Sequence, residues 1–481
     1  MGYERLSVVD ASFLHIETAH EPQHVGALLY LDAGPLRDGR GRVRLDELRA
    51  LVSQRLHRLP RLRQKVMFVP LGTGLPIWVD DDSFDIDRHV RLTAVPRPGD
   101  DTQVRELFSR MQAQPLDRER PLWEMWFVDG LEDDQLGLVL KCHHALGDGV
   151  ANVDLLLAIC DLEREPVEEP PPPAYRPRPA PTPGRLLVDS LAERVVRPVE
   201  VVKASVDALR SPQRVARALG DVVTAVPGLL ASTPPAPWNV PVGRHRRWVG
   251  TDVALDDVRV IGQATDTTVN DVVLALCAGA LRSYLQRNGD DVAGRELKAM
   301  VPVSRRRHDE HGGVLGNRVS LLMVELPIGE ADPVARLGQI HEQSVELKAS
   351  GLAEGVETML SAAAEFPFLA ARFARRVSHS VPMNLVITNI PGPRTPLFIR
   401  GSEVRRAYPY VEVIDDEGLT IAVASYANRL FFGLTADRDV MPDLHLVAGG
   451  IDHAMTQLLA STRRAGDQER AAAPPPERRG G

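Results

Sequence analysis

The feature that most constrains this chain is a pair of adjacent histidines between a strand-like and a helix-like segment. His143 and His144 follow the apolar run 136–142, and the Gly-Asp-Gly turn at 147–149 separates them from residues with helical spacing that begin at Val150. Imidazole titrates near neutral pH and can accept a proton and return it within one reaction cycle. The sequence therefore predicts a strand–turn–helix unit with two titratable side chains at the turn.

Length and composition limit the classes of protein to consider. A chain of 481 residues is too long for one ordinary hydrophobic core, so we expect two domains. The proportions of hydrophobic residues, 44%, and charged residues, 25%, are typical of a soluble globular protein. A formal net charge of −8 argues against a nucleic-acid partner.

The N-terminus and the cysteines bear on the compartment. The first residues lack the basic-then-apolar order of a secretory signal, and no run of about 18 apolar residues predicts a spanning helix. Three cysteines, Cys142, Cys160 and Cys277, fit reduced thiols better than a disulfide framework. We expect a cytoplasmic protein, and peripheral contact with a membrane or lipid-droplet surface stays open.

Patterning divides the chain into four parts. The first domain, 1–163, shows a strand at 24–31, helical spacing over 45–62 and a hairpin of 124–128 with 136–142. A proline-rich crossover at 164–244 follows, with an amphipathic helix at 188–209 that is kinked at Pro198. That helix could pack on the protein itself or dock on a lipid surface.

The second half again alternates helices and strands, and we assign it to a second domain at 245–464. We expect a helix over 271–285 capped by Asn270, a strand at 384–389, and a hairpin of 419–426 with 430–434 around Ala427-Asn428. The tail, 465–481, is expected to be disordered.

The alternation of side chains in a strand separates the two imidazoles. His144 shares one face with Cys142, and His143 shares the other with Lys141, so both rings are not expected to reach one reacting atom. We assign the general base to His144 and a supporting role to His143. The alternative is that both are ordinary polar residues at a strand end, satisfied by backbone groups.

The turn after the histidines has its own expected roles. Asp148 is expected to hold the turn by a salt bridge or a helix cap rather than to transfer a proton. Gly147 and Gly149 would permit a positive φ or a close backbone approach. A metal site made of Cys142, His143, His144 and Asp148 is disfavoured, because the ligands lie on opposite faces and no second cluster completes it.

Other segments carry weaker signals. Trp123, in Pro121-Leu122-Trp123, is read as a core anchor, and Asn270-Asp271 as a helix cap. The triplet 305–307 follows Pro302-Val303-Ser304 and is either a solvated basic turn, a phosphate contact or a partner for Asp148.

Taken together and in order, these segments resemble the bacterial wax ester synthase/acyl-CoA:diacylglycerol acyltransferase family. The His143–Gly149 run has the form HHxxxDG, which peptide-synthetase condensation domains also carry. The match spans nearly the whole chain, with Leu6-Ser7, Asp10, Phe13-Leu14, Glu17, His24-Val25-Gly26, Pro115-Leu116-Asp117, Pro121-Leu122-Trp123, Asn270-Asp271, Pro302-Val303-Ser304, Gly316-Asn317 and Thr388–Pro393.

The resemblance implies an α/β fold of two similar chloramphenicol-acetyltransferase-like domains with an active-site tunnel at their interface. It implies that His144 deprotonates the acceptor hydroxyl, which attacks the thioester directly without an acyl-enzyme. Asn270, Asp271 and Trp123 become candidates for shaping the tunnel or supporting it, and Arg306 becomes a candidate partner for Asp148. No cofactor or metal is implied, because acyl-CoA is a co-substrate.

The function expected from the resemblance is O-acyl transfer from long-chain acyl-CoA to diacylglycerol, giving triacylglycerol, or to a long-chain alcohol, giving a wax ester. One alternative is acyl transfer to another hydroxyl-bearing lipid or metabolite. Another is a non-catalytic lipid-binding protein of the same fold. The sequence does not decide the acceptor, because apolar tunnels discriminate chain length only weakly.

Overall fold

The computed structural model describes residues 3–147, 149–165, 170–192, 234–304, 319–349, 383–414 and 416–472. Over these ranges the chain is a mixed α/β protein with two six-stranded sheets and one three-stranded sheet. Each six-stranded sheet has its own large hydrophobic cluster, as expected for two cores.

The elements are numbered in chain order. The strands are β1 (Glu4–Arg5), β2 (His24–Asp32), β3 (Gln64–Met67), β4 (Ile77–Asp80), β5 (Val90–Ala94), β6 (Trp123–Asp129), β7 (Gln135–His143), β8 (Arg246–Ala254), β9 (Leu297–Ser304), β10 (Val319–Leu326), β11 (Leu385–Ile390), β12 (Phe398–Ile399), β13 (Ser402–Val411), β14 (Leu419–Tyr426) and β15 (Arg429–Asp437). The helices are α1 (Val8–Ile16), α2 (Leu45–Arg55), α3 (Ile86–His89), α4 (Asp101–Gln112), α5 (Gly149–Ile159), α6 (183–192), α7 (Leu255–Thr265), α8 (Val269–Arg287), α9 (Pro333–Ala349) and α10 (His445–Ala472).

The first sheet has the order β12-β13-β2-β7-β6-β5. The predicted hairpin is confirmed as the antiparallel pair β6–β7, and β2 lies antiparallel on the other side of β7. The register places His24 opposite His143. Strand β7 is buried on both faces over nearly its whole length, which explains its continuous apolar sequence.

The second sheet has the order β10-β9-β11-β14-β15-β8, and the predicted hairpin around Ala427-Asn428 is confirmed as β14–β15. Both turn residues have positive φ, 42° and 64°, as a tight two-residue hairpin requires. Helix α8 packs against this sheet and against α10. It is buried from Val272 to Leu281 all round, which is the pattern of a core helix.

Strand β13 connects the two halves of the chain. It belongs by sequence to the second half, but it pairs antiparallel with β2 in the first sheet, with Tyr408 opposite Leu28. The same strand packs on the second sheet, where the Tyr408 ring lies edge-on to Phe431 at 5.1 Å. The predicted division at residue 245 therefore does not separate the sheets, because 398–411 returns to the first one.

Parts of the predicted crossover are packed rather than exposed. Helix α6 buries Leu186 against Ile77 and Val79 of the small sheet β1-β4-β3. Trp238 is fully buried in the second core, and its indole N–H donates to the Asn384 carbonyl at 2.7 Å. Of the amphipathic segment 188–209, the structure describes only 188–192, and the kink at Pro198 lies outside the described residues.

Three local boundaries differ from the sequence-based expectation. Helix α8 begins at Val269 and is capped by Thr268, not by Asn270, because the Thr268 hydroxyl and the Asp271 backbone and carboxylate form a reciprocal capping box. Helix α10 continues to Ala472, so it overlaps the first residues of the tail that we expected to be disordered. Helix α2 ends at Arg55, and short 3-10 turns continue to Arg63.

Candidate active site

Both motif histidines lie at the end of β7, where the strand becomes a 3-10 turn over His144–Leu146. Backbone bonds fix the junction. The His143 N–H donates to the Leu122 carbonyl at 3.0 Å, and the His144 N–H donates to the Gln23 carbonyl at 2.9 Å. The adjacent strands therefore hold the backbone of the two residues, and the side chains start from fixed positions.

The His143 ring is fully buried and has an assignable tautomer. Its Nδ1 accepts a hydrogen bond from the Ala145 N–H at 2.9 Å, so in the neutral ring the proton lies on Nε2. That Nε2 faces Oε1 of Glu17 at 3.5 Å. The ring is thus oriented from both sides, as expected of a supporting residue.

Glu17, one of the residues that carry the family resemblance, lies beside the motif histidines in the structure. It terminates α1, accepts from the Gln23 N–H at 3.2 Å, and forms an ion pair with Arg118, whose Nε lies 2.8 Å from its Oε2. Burial would raise the pKa of Glu17, but the interactions with His143 and Arg118 outweigh burial and lower it. The buried carboxylate is therefore ionised where it faces His143.

The ring of His144 lies against helix α1, one turn before Glu17. It stacks on Phe13 with a centroid separation of 4.4 Å and an interplanar angle of 11°. The residue keeps partial exposure, unlike the fully buried His143. Burial of the ring, with a smaller contribution from His143, lowers the pKa of His144 to about 3. Its imidazole is therefore neutral at physiological pH, which a general base requires.

Phe13, in the last turn of α1, and Glu17, its C-cap, are spaced i, i+4 and therefore lie on the same side of the helix end. Phe13 contacts His144 and Glu17 faces His143. The spacing is readable in the sequence, but nothing in the sequence alone connects this helix with the turn after β7, about 130 residues later.

A third imidazole, His24, completes the buried cluster. Its Nδ1 donates to the Gln112 carbonyl at 3.3 Å, and its ring lies edge-on to that of His143 at 6.1 Å. Burial and the nearby Lys141 hold the pKa of His24 well below its usual value. The Lys141 ammonium donates to the Met111 carbonyl in the last turn of α4 and to the Gln114 carbonyl just after it, and burial lowers its pKa to about 8.

The remaining turn residues are described only in part. Asp148 lies outside the described residues, and so does Arg306. Gly147 has φ 159° and ψ 173°, which is close to extended backbone rather than a left-handed turn conformation. Gly149 is the first residue of α5.

Trp123 is a core residue in the structure, 1% exposed on β6. Its indole N–H donates to the Leu62 carbonyl at 2.8 Å. Its ring stacks on His89 with centroids 4.5 Å apart. These contacts favour the anchoring role over the tunnel-lining role.

Asn270 and Asp271 form a separate polar group at the start of α8. The Asn389 side-chain amide donates to Oδ1 of Asn270 at 3.3 Å, and Oδ2 of Asp271 lies 2.8 Å from Nδ1 of His341. Burial would raise the pKa of Asp271, but its hydrogen bonds with His341 and Thr268 lower it. These contacts join the start of α8 to β11 and to α9.

The cysteines are buried and poorly suited to nucleophilic attack. Burial raises the pKa of Cys142 and of Cys277 to about 12, and it raises the pKa of Cys160 as well. Within the described ranges, no three His, Cys, Asp or Glu side chains are arranged to hold a metal ion.

Comparison with known proteins gives concordant matches to the two halves. Residues 6–273 match the wax ester synthase/diacylglycerol acyltransferase catalytic domain, and residues 315–459 match the C-terminal domain of the same family. A Mycobacterium tuberculosis protein named as a probable diacylglycerol O-acyltransferase is 32% identical over 95% of this chain and 96% of its own length. A second protein of that name from the same organism is 33% identical over 93% and 97%.

Solved structures agree. The wax ester synthase/diacylglycerol acyltransferase from Marinobacter aquaeolei is similar with a TM-score of 0.68 and 25% identity, covering 95% of this chain and 99% of its own. The first condensation domain of the CDA synthetase, at 15% identity and a TM-score of 0.58, covers 95% and 96% and shows a shared fold. The predicted fold class, α/β with two chloramphenicol-acetyltransferase-like sheet domains, is confirmed.

Proposed function

Since the chain belongs to the wax ester synthase/diacylglycerol acyltransferase family, we propose that it moves a long-chain acyl group from acyl-CoA to diacylglycerol, with His144 as the general base. Long-chain alcohols are a second acceptor class, giving wax esters. The observation that carries the proposal is the neutral ring of His144, a partly exposed residue, stacked on Phe13 beside the oriented His143.

The proposed reaction is a direct transfer. The imidazole of His144 takes the hydroxyl proton as the acceptor oxygen attacks the thioester carbon, and a tetrahedral oxyanion forms. Collapse of that species breaks the C–S bond, and the imidazolium returns its proton to the departing CoA sulfur. The lowered pKa of His144 favours this return of the proton and opposes the initial proton uptake by the same amount.

The three buried thiols support a route without an acyl-enzyme. A cysteine attacks as the thiolate, and burial opposes its formation at Cys142, Cys160 and Cys277 alike. Direct attack by the acceptor needs no protein nucleophile.

Several roles stay proposals drawn from the sequence. Asp148 is assigned to holding the turn, Arg306 to pairing with it, and Asn270 to shaping the tunnel between the domains. The division into 1–163, 164–244, 245–464 and 465–481 is retained as the working domain scheme, with strand β13 assigned to the first sheet.

Peripheral contact with a membrane or lipid droplet belongs to the same proposal. No helix in the described part of the chain is both long and apolar enough to cross a bilayer. Diacylglycerol resides in lipid, so the enzyme must meet a lipid surface to collect it. Val188, 64% exposed, and Leu191, 46% exposed, are apolar side chains on α6 that could contribute to such contact.

The test is turnover of labelled long-chain acyl-CoA with diacylglycerol and hexadecanol offered separately, for the wild type and His144→Ala. We expect triacylglycerol or wax ester from the wild type alone, with the variant folded. Turnover of His144→Ala at the wild-type rate would refute the base assignment. CoA release only with other acceptors would identify a specialised acyltransferase, and complete inertness would favour a lipid-binding protein.

A further inference from the structure

A cleft between the two halves of the molecule is rich in arginine. It has a volume of about 610 Å³ and lies between α4, β8 and the segment leading into α10. The helix contributes side chains at 102, 105, 106, 109 and 110, which share one face. Five arginines and a histidine line the cleft, against one carboxylate, Glu106.

Three of these arginines have carboxylate partners. Arg246 forms a buried ion pair with Glu412, Arg105 lies 3.4 Å from Asp101, and Arg438 lies 3.5 Å from Asp439. These pairs neutralise part of the positive charge of the cleft.

Arg110 and Arg247 are different. Among the described residues, neither has a carboxylate oxygen within 4.0 Å. Nε of Arg247 is buried, and no described residue accepts a hydrogen bond from it. Because no described carboxylate pairs with Arg110 or Arg247, both bring uncompensated positive charge to the lining of the cleft, which an anionic ligand would neutralise.

The chemistry of such an acceptor follows from the lining. Paired guanidinium forks match phosphate oxygens in geometry and charge, and His445 begins α10, whose N-terminal dipole also favours an anion. The volume lies in the range of small-molecule sites. In a chain with a net charge of −8, this concentration of positive charge is local rather than general.

The cleft is connected to the histidine cluster through helix α4. Ser109, in the cleft wall, accepts a hydrogen bond from the Trp248 N–H at 3.0 Å, which joins the helix to β8. One turn later, the Gln112 carbonyl accepts from His24, whose ring contacts that of His143. The cleft wall at Ser109 and the contact with His24 at Gln112 thus lie one turn apart on α4.

We propose that this cleft binds the nucleotide phosphates of the acyl-CoA donor, with Arg110 and Arg247 as their unpaired cationic contacts. The inference rests on the proposed function and specifies where that substrate is held. It assigns affinity for the donor to two residues outside the HHxxxDG segment.

The experiment compares the wild type with Arg110→Gln/Arg247→Gln in the full chain. We expect the KM for acyl-CoA to rise about 10- to 100-fold, as loss of charge-assisted contacts predicts, with kcat within about twofold. The KM for the acyl-pantetheine thioester, which lacks the nucleotide, should not change. Arg40→Gln/Arg287→Gln removes the same charge from exposed positions outside the cleft and should behave as the wild type.

Direct binding separates this inference from the proposed function. Adenosine 3′,5′-bisphosphate, inorganic phosphate and vesicles containing phosphatidic acid are titrated into each protein by calorimetry. Tight bisphosphate binding that the cleft variant loses supports the cleft, even if the wild type turns over no acyl-CoA and the proposed function fails. An unchanged KM in an active variant overturns it. So does bisphosphate binding no tighter than phosphate, or a variant that loses only vesicle binding.

Discussion

The carboxylate of Glu17 faces Nε2 of His143 at 3.5 Å, while the opposite nitrogen of that ring accepts a hydrogen bond from the Ala145 N–H. The ring of the neighbouring His144 stacks on Phe13 of α1, the helix whose C-cap is Glu17. The orientation of both histidines therefore depends on α1, more than a hundred residues before the motif.

Glu17→Gln should lower kcat and leave the KM for acyl-CoA nearly unchanged. The carboxylate holds the Nε2–H tautomer of His143, and a small loss of alignment at a catalytic group costs on the order of 10- to 100-fold. Glu17→Asp should recover part of the rate, whereas Glu119→Gln, on the surface, should have no effect. A normal kcat in folded Glu17→Gln would exclude the positioning role.

The free energy of unfolding should decrease as pH falls from 7.5 to 5.5. The native pKa of His24 is far below the unfolded value of about 6.5, so below pH 6.5 the unfolded chain binds a proton that the native ring does not. His24→Gln should remove up to about 1.4 kcal/mol per pH unit of this slope. Urea denaturation at each pH measures it, with the exposed His57→Gln as control. An unaltered slope in His24→Gln would contradict the assignment.

Gly433→Ala should destabilise the protein by about 1–3 kcal/mol. A Cβ at Gly433 would lie 1.8 Å from the Pro409 carbonyl oxygen, so β15 and β13 would have to separate. At the exposed helical Gly449 nothing lies within 4 Å, and Gly449→Ala should stabilise by about 0.5–1 kcal/mol. Thermal melting of both variants checks the contrast. Equal effects would mean that the strands are not in close contact.

Replacement of Cys142, Cys160 and Cys277 by alanine should leave kcat within a few-fold of the wild type. The thiols are buried, and burial raises the pKa of each, so we assign none of them to acyl transfer. Product formation by the triple variant, with circular dichroism to verify folding, is the measurement. A folded variant without activity would point to an acyl-cysteine intermediate.

The sequence by itself determined the local units of this protein. The apolar run before His143, the hairpin of β6 and β7 and the turn at Ala427-Asn428 follow from side-chain periodicity and turn residues, which act over a few positions. The order of short motifs also carried the fold class. The sequence predicts the cap of α8 at Asn270, two residues after the observed Thr268, because both residues are suitable caps and only the backbone geometry distinguishes them.

The tertiary structure alone decided which distant segments meet. Glu17 reaches His143, β13 returns to the first sheet, Trp238 enters the second core, and Arg110 and Arg247 line the same cleft. None of these contacts leaves a periodic signal, because each depends on the packing of elements separated by tens to hundreds of residues. Burial of apolar surface drives that packing without direction, so a single sequence indicates that two faces are buried but not which faces pair.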